Sequence, residues 1–148
     1  MLILKQEDYN KIVDHAKKGL PNEACGLLGG YVEGDKRVVT DVYLLRNVDE
    51  SREHFSMDPA EQLAAIKDIR QKKGVLLGNF HSHPESPSRP SQEDIRLAYD
   101  PKMNYLILSL MFSQTMFFLT DYIDIEAIQA LKESVRIMRG KKGKLFYL

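Results

Sequence analysis

Residues 75–94, which read VLLGNFHSHPESPSRPSQED, decide how this chain folds. They begin with a short apolar run, residues 75–82, which is typical of a buried strand. Three prolines stiffen residues 84–90 and predict an ordered loop. Ser91, followed three residues later by Asp94, predicts the start of a helix. We therefore expect this segment to form a strand, a rigid loop and a helix.

The flanking sequence alternates helices and strands irregularly. Apolar residues at helical spacing predict a helix over residues 6–19, and the pair Asp58-Pro59 predicts the start of another that runs to about position 72. Runs typical of strands lie at residues 25–32, 38–45, 105–111 and 116–122. From Asp124, helical spacing predicts a last helix that reaches Met138, with a solvated tail behind it. We expect an α+β fold, an α/β sandwich in which helices flank a single mixed β-sheet.

Length and composition narrow the class of protein. A chain of 148 residues, 43% of them hydrophobic, has room for one core, so we expect a single domain over residues 1–148. Lys plus Arg and Asp plus Glu both number 21, and this balance predicts no general attraction to nucleic acid or to a membrane surface. The one cysteine, Cys25, excludes an internal disulfide, and residues 1–8 lack the features of a signal peptide. These features favour a cytoplasmic protein.

His81-Ser82-His83 is the first candidate site. Residues two apart on a strand point to the same face, so both imidazoles can address one metal ion. Asp94 can supply a third ligand, because the first turn of a helix favours a charged carboxylate. Each observation has a structural alternative: a His-x-His pair occurs by chance, and Ser91 with Asp94 can form a capping box and nothing more. Residue types and spacing leave both interpretations open.

The whole pattern resembles the JAMM (MPN+) metallopeptidase family. Its signature is an upstream glutamate, then His-(Ser/Thr)-His, seven residues, serine, two residues and aspartate. Here His81-Ser82-His83 is followed by residues 84–90 and then by Ser91 and Asp94, and residues 23–30 resemble the glutamate strand of the family.

The resemblance implies a cytidine-deaminase-like MPN/JAMM fold with one zinc ion per chain. It implies that His81, His83 and Asp94 hold the zinc, that Glu23 acts as general acid and base, and that Ser91 hydrogen-bonds the developing oxyanion. Without the resemblance, the residues themselves would favour the interpretation of Glu23 as a surface acid after a proline turn.

The implied activity is hydrolysis of the peptide or isopeptide bond after the glycine tail of a ubiquitin-like or sulfur-carrier protein, by a small stand-alone prokaryotic member. Two other functions stay open: a non-catalytic MPN-type scaffold or binding module, and a zinc amidohydrolase for small amides. We expect no nucleic-acid or membrane partner, and a homodimer is left open. Cys25 is expected to be inert core, neither nucleophile nor metal ligand. His15 and His54 are expected to be structural or exposed.

Overall fold

The computed structural model describes residues 1–111 and the backbone of residues 116–117 and 136–139. The helices of this part are α1 (Gln6–Gly19), α2 (Pro59–Gln71) and α3 (Gln92–Leu97). Its strands are β1 (Leu2–Ile3), β2 (Cys25–Glu33), β3 (Lys36–Leu45), β4 (Val75–His83), β5 (Asn104–Ser109), β6 (Met116–Phe117) and β7 (Arg136–Arg139). Within the described residues, no helix has the length and apolar character needed to cross a membrane.

All strands join one mixed sheet in the order β1-β3-β2-β4-β5-β6, and β7 also pairs with β5. The β1/β3 and β4/β5 pairs are parallel, whereas β2/β3, β2/β4, β5/β6 and β5/β7 are antiparallel. Strand β4 therefore lies inside the sheet, hydrogen-bonded along both edges. The single mixed sheet predicted from the sequence is confirmed.

The sheet carries a helix on each face, as neighbouring residues of β2 show. Leu28 belongs to the buried cluster that includes Ile12 and Val13 of α1. Leu27, one residue earlier, belongs to a second cluster that includes Ala65 of α2. Because successive side chains of a strand point to opposite faces, α1 and α2 lie on opposite sides of the sheet. The predicted α/β sandwich is confirmed.

The predicted last helix is wrong where it meets the described residues. Arg136–Arg139, which includes Met138, is a strand that runs antiparallel to β5, with Arg136 opposite Ile107. Strand β4 occupies one edge of β5. The N–H and C=O groups on the other edge of β5 also need partners, and β6 reaches only Leu108 and Ser109 of that edge. The periodicity of the side chains at residues 136–139 does not show that the backbone of β5 needs hydrogen-bond partners. The remainder of the predicted helix, the tail behind it and residues 118–122 of the predicted strand lie outside the described residues.

Gly26 allows β2 to approach its neighbours closely. A Cβ atom at this position would lie 2.1 Å from the carbonyl oxygen of Tyr43 and 2.3 Å from the ring of Phe80. The first of these is a backbone atom of the adjacent strand, which cannot swing away. Gly26 follows Cys25, the residue opposite His81, so the close approach lies next to the candidate site.

We predict that Gly26→Ala lowers the free energy of unfolding by about 3 kcal/mol, because the added methyl group forces β2 away from β3. Urea unfolding of the two proteins measures the difference. Gly19→Ala is the matched control: its Cβ would lie 3.4 Å from the Cβ of Ala24, an ordinary contact, and a change below about 1 kcal/mol is expected. Equal stability of both variants would contradict the packing of β2 described here.

Candidate metal centre

The two histidines of the motif lie at the carboxyl end of β4. His81 and His83 are 3% and 4% exposed, and their Nε2 atoms are 3.1 Å apart. Strand β5 pairs with this part of β4 in parallel, with His83 opposite Ser109. The two rings therefore point to one place from a strand that is held along both edges, as the spacing predicts.

Asp94 reaches the same place from the first turn of α3. Its Oδ1 lies 3.2 Å from Nε2 of His81 and its Oδ2 lies 3.6 Å from Nε2 of His83. One ligand atom from each of the three residues falls within 4.8 Å of the other two. A tetrahedral zinc site with bonds of about 2.0–2.1 Å needs ligand atoms roughly 3.3 Å apart. The group can hold a metal ion with little rearrangement.

The loop of residues 84–90 fixes the ring orientation of His83. Nδ1 of His83 lies 2.9 Å from the carbonyl oxygen of Pro87. A carbonyl can only accept, so Nδ1 carries the hydrogen and donates it, which leaves the lone pair of Nε2 directed at the metal position. The rigid loop that the prolines predict therefore has a second effect, because it selects the tautomer that a metal ligand needs.

Phe55 covers the other histidine. Its ring stacks on His81 with centroids 4.6 Å apart and 20° between the planes. The sequence did not indicate this contact, because Phe55 lies in the irregular segment between β3 and α2 and belongs to no periodic pattern. Phe55 excludes solvent from one side of the ring and restricts its rotation.

The metal-free charges are distributed unequally over these residues. Burial raises the pKa of Asp94, but hydrogen bonds with His81 and His83 outweigh it and hold that pKa well below its usual range. Burial lowers the pKa of His81. Burial also disfavours the charged form of His83, yet the bonds to Asp94 and to the carbonyl of Pro87 raise its pKa. Asp94 is therefore a permanent carboxylate, the form that a metal ligand requires.

Glu23, the residue just before Ala24 and β2, lies beside this group. It is 5% exposed, and its Oε1 is 4.0 Å from Nε2 of His83. Two hydrogen bonds join its neighbour Ala24 to Ser82: the Ala24 N–H donates to Oγ of Ser82 at 2.8 Å, and the Ser82 N–H donates to the Ala24 carbonyl at 2.9 Å. These bonds hold Glu23 against the strand that carries both histidines.

Burial raises the pKa of Glu23 to about 7, and the nearby charge of His83 counteracts this only in part. A carboxyl group with such a pKa exchanges a proton readily near neutral pH. Glu23 and Asp94 are thus two carboxyl groups of the same site whose pKa values lie far apart.

Ser91 forms the predicted capping box with Asp94. The Ser91 N–H donates to Oδ2 of Asp94 at 2.6 Å, and Oγ of Ser91 accepts from the Asp94 N–H at 3.1 Å. The Ser91 hydroxyl also donates to the same Oδ2 at 2.6 Å. Helix capping and the metal-ligand geometry therefore coexist. Because the single hydroxyl hydrogen is engaged by Asp94, an oxyanion role for Ser91 requires the hydroxyl to rotate.

An open cavity of about 520 Å³ lies over the site. Glu23, His83 and Ser91 line it, together with residues 52–54 of the segment between β3 and α2. That segment forms one wall of the cavity, although no sequence pattern assigns it to the site. Two ion pairs connect it to the opposite wall.

The first ion pair joins Arg52 to Glu85 at 2.8 Å, and the second joins His54 to Glu93 at 2.6 Å. The side chains of Arg52 and His54 are each 57% exposed, so both pairs lie in solvent and contribute little stability. His54 is thus exposed, as predicted.

Cys25 and His15 are structural, in agreement with the predictions. The Cys25 thiol is fully buried, lies 3.7 Å from the Leu45 carbonyl, and has its pKa raised to about 12, first of all by burial. Such a thiol is neither a nucleophile nor a ready ligand at neutral pH. Nε2 of His15 lies 3.2 Å and 3.3 Å from the carbonyl oxygens of Cys25 and Leu45.

Residues 5–121 match the model of a protein family described as prokaryotic homologs of the JAB domain. The chain belongs to this family. The matched range contains all five residues of the predicted motif. The JAMM/MPN resemblance stated from the sequence is confirmed.

Individual relatives agree with the family. The CysO-cysteine peptidase of Mycobacterium tuberculosis is 30% identical over 109 residues, which cover 74% of this chain and 73% of that protein. The desampylase of Haloferax volcanii is 35% identical over 113 residues, which cover 73% of this chain and 80% of that protein. The solution structure of a protein from Desulfitobacterium hafniense is similar with a TM-score of 0.74 and 50% identity, over 83% of this chain and 91% of that one.

We predict that Glu23 makes the metal-free protein less stable as pH rises. Its pKa is about 7 in the folded state against an ordinary value of 4.5. Between these values the folded state keeps a proton that the unfolded state has lost, so the free energy of unfolding decreases with pH. Across that window the effect is roughly 3 kcal/mol.

Urea unfolding of wild type and Glu23→Gln, both freed of metal, measures this effect. Groups remote from the site titrate alike in both proteins, so the difference between them reports Glu23 together with its charge interaction with His83. As pH rises from about 4.5 to about 7, the free energy of unfolding of the glutamine variant is expected to increase relative to that of wild type. A difference that stays constant over this range would contradict the raised pKa.

Proposed function

We propose that this chain is a zinc-dependent peptidase or isopeptidase of the JAMM type that cleaves after the glycine tail of a ubiquitin-like or sulfur-carrier protein. The observation that carries the proposal is the convergence of His81, His83 and Asp94 beside the buried Glu23, next to an open cavity that Glu23, His83 and Ser91 line. Membership of the prokaryotic JAB family and the names of two relatives, a peptidase and a desampylase, support the prediction of a hydrolase.

His81, His83 and Asp94 would hold one zinc ion per chain. Two imidazoles and one carboxylate are a ligand set of catalytic zinc sites, which keep a further position for water or substrate. When bound, zinc would polarise the scissile carbonyl and lower the pKa of a water molecule. The two Nε2 atoms lie 3.1 Å apart, and each has one oxygen of Asp94 within 3.6 Å, Oδ1 for His81 and Oδ2 for His83, against the roughly 3.3 Å of a tetrahedral site.

Glu23 would move the proton during hydrolysis. Its carboxylate accepts a proton from the attacking water and then donates it to the nitrogen of the leaving amine. In the metal-free protein burial raises the pKa of Glu23 to about 7, so this group both takes up and releases a proton near neutral pH. Burial, the first cause of that pKa, also keeps bulk water from competing for the proton.

Ser91 would donate a hydrogen bond to the oxyanion that forms on the scissile carbonyl. The Ser91 hydroxyl lines the cavity and is hydrogen-bonded to Asp94. Rotation of this hydroxyl from Oδ2 toward the cavity would supply the donor while the Ser91 N–H keeps its own bond to the carboxylate.

The names of two relatives support a protein substrate. One is a CysO-cysteine peptidase and another a desampylase, and both match along most of their length. The cavity is open and has charged residues of both signs on its rim, which suits a protein tail that enters from solvent. A cytoplasmic location and a single domain over residues 1–148 stay predictions, and a homodimer stays open.

A zinc amidohydrolase for small amides is the second candidate, because a cavity of about 520 Å³ lies within the range of small-molecule sites. The two functions differ in what saturates the enzyme. A ubiquitin-like protein with an extension beyond its terminal glycine should compete with a small amide in the first case and not in the second. The intact ligand set argues against a third function, a scaffold without catalysis.

We predict that wild type binds one zinc ion per chain and that His83→Ala does not, because the alanine variant leaves only two of the three ligands. Metal analysis after dialysis measures the stoichiometry. His54→Ala is the matched control: it removes another histidine that lines the same cavity but lies outside the ligand group. Full zinc content in His83→Ala would contradict the assignment of the ligands.

We predict that Glu23→Gln keeps its zinc and loses about 10²–10⁴-fold in kcat, the contribution typical of a general acid or base. The assay follows cleavage of a ubiquitin-like protein that is extended beyond its terminal glycine. Glu33→Gln makes the same change in an exposed acid at the far end of β2, away from the cavity, and should cleave as wild type does. An active Glu23→Gln, or equal losses in both variants, would exclude the proposed proton transfer.

A further inference from the structure

Two buried polar atoms beside the metal centre lack a hydrogen-bond partner. They are Nδ1 of His81 and Oδ1 of Asn79, and they are the buried unpaired side-chain atoms found in the described part of the chain. The two residues are separated by one position on β4, so their side chains point to the same face of the sheet. A ring nitrogen and an amide oxygen, both unpaired, thus lie side by side.

Both residues line the same small cavity, which is separate from the open one and measures about 50 Å³. Its other walls include the apolar side chains of Phe55, Leu97 and Ile107. A site that holds one water molecule needs at least about 10–15 Å³ and two or more polar partners. This cavity has the volume, and Asn79 and His81 supply the partners.

The need for a partner follows from the chemistry of the other histidine. His83 donates its Nδ1 hydrogen to the carbonyl of Pro87, which directs Nε2 to the metal position. His81 presents Nε2 to Asp94 in the same way, so its hydrogen must also lie on Nδ1 when a metal is bound. No backbone carbonyl meets that hydrogen, because Nδ1 of His81 has no partner.

Asn79 is the acceptor that remains among the residues around the small cavity. The carboxylate of Asp94 is engaged by both histidines and by Ser91. The hydroxyl of Tyr105 lies 3.3 Å from the carbonyl of Asp100, to which it donates. The other walls named above are hydrocarbon, so only the amide oxygen of Asn79 is left.

We propose that Asn79 is a positioning residue of the metal centre: when a metal is bound, Nδ1–H of His81 donates to one water molecule in the small cavity, and that water donates to Oδ1 of Asn79. The Cα atoms of residues two apart on a strand are nearly 7 Å apart, so their polar side-chain atoms are too far apart for most direct hydrogen bonds. A water molecule can join two polar atoms that are roughly 5 Å apart. The bond fixes the tautomer of His81 and strengthens its Nε2 as a ligand. This inference rests on the zinc site of the proposed function.

The test compares the zinc affinity of Asn79 variants by competition with a chelator. Asn79→Leu and Asn79→Val fill the position without an acceptor, and each should weaken zinc binding about 10–100-fold. Asn79→Asp keeps an acceptor oxygen and should bind zinc within about threefold of wild type, or more tightly. Using two apolar variants guards against one that fails to fold.

Tyr105→Phe is the matched control. Tyr105 lines the same cavity and lies opposite Asn79 on β5, but its hydroxyl bonds to Asp100. Its zinc affinity should equal that of wild type, and a crystal structure of the zinc-loaded protein should show the bridging water.

Each remaining outcome is decisive. If Asn79→Leu and Asn79→Val bind zinc as wild type does, or if Asn79→Asp is as weak as they are, Asn79 does not position His81. A loss in Tyr105→Phe equal to that in the apolar variants would reduce the effect to general packing, which also overturns the inference. Zinc binding by wild type is the separate check on the proposed function, because its absence would remove the site itself.

Discussion

The pair of hydrogen bonds between Ala24 and Ser82 is the interaction on which the site depends. Ser82 stands between the two histidines, and Ala24 directly follows Glu23. The two bonds, of 2.8 Å and 2.9 Å, therefore tie Glu23, the proposed proton-transfer group, to the strand that carries two of the proposed ligands. The middle residue of the His-Ser-His motif faces away from the metal position, yet it sets the distance between Glu23 and His83. A hydroxyl at this position has a structural reason that is independent of catalysis.

The local parts of the site could be predicted from the sequence because each depends on neighbours along the chain. Strand alternation places His81 and His83 on one face, and the capping preferences of serine and aspartate start α3 at Ser91. The position of Glu23 could be inferred only from the family pattern. Its approach to His83 is produced by the pairing of β2 with β4, which residue periodicity does not specify.

Other parts of the site carry no sequence signal of their own. Phe55 belongs to an irregular segment, and its stacking on His81 is a long-range contact. Asn79 lies in an otherwise apolar strand, and the sequence pattern does not show whether its polar side chain faces solvent or the site. The strand Arg136–Arg139 was predicted as helix because its apolar spacing fits a helix, whereas the open edge of β5 determines its structure. Phe55 and residues 136–139 have their decisive partners far away in the sequence, and Asn79 becomes apparent only through the small cavity that it shares with His81.

The two carboxyl groups of the site acquire different roles from their surroundings. Asp94 is stabilised as an anion by two histidines and by Ser91, so its pKa falls and it cannot exchange protons near neutral pH. Glu23 is buried with one histidine 4.0 Å away, too far for a hydrogen bond, so desolvation prevails and its pKa rises to about 7. A permanent carboxylate suits a metal ligand, and a carboxyl group that titrates near neutrality suits a proton carrier. The number of hydrogen-bond donors that reach each carboxyl group, rather than its residue type, therefore separates the proposed metal ligand from the proposed acid–base catalyst.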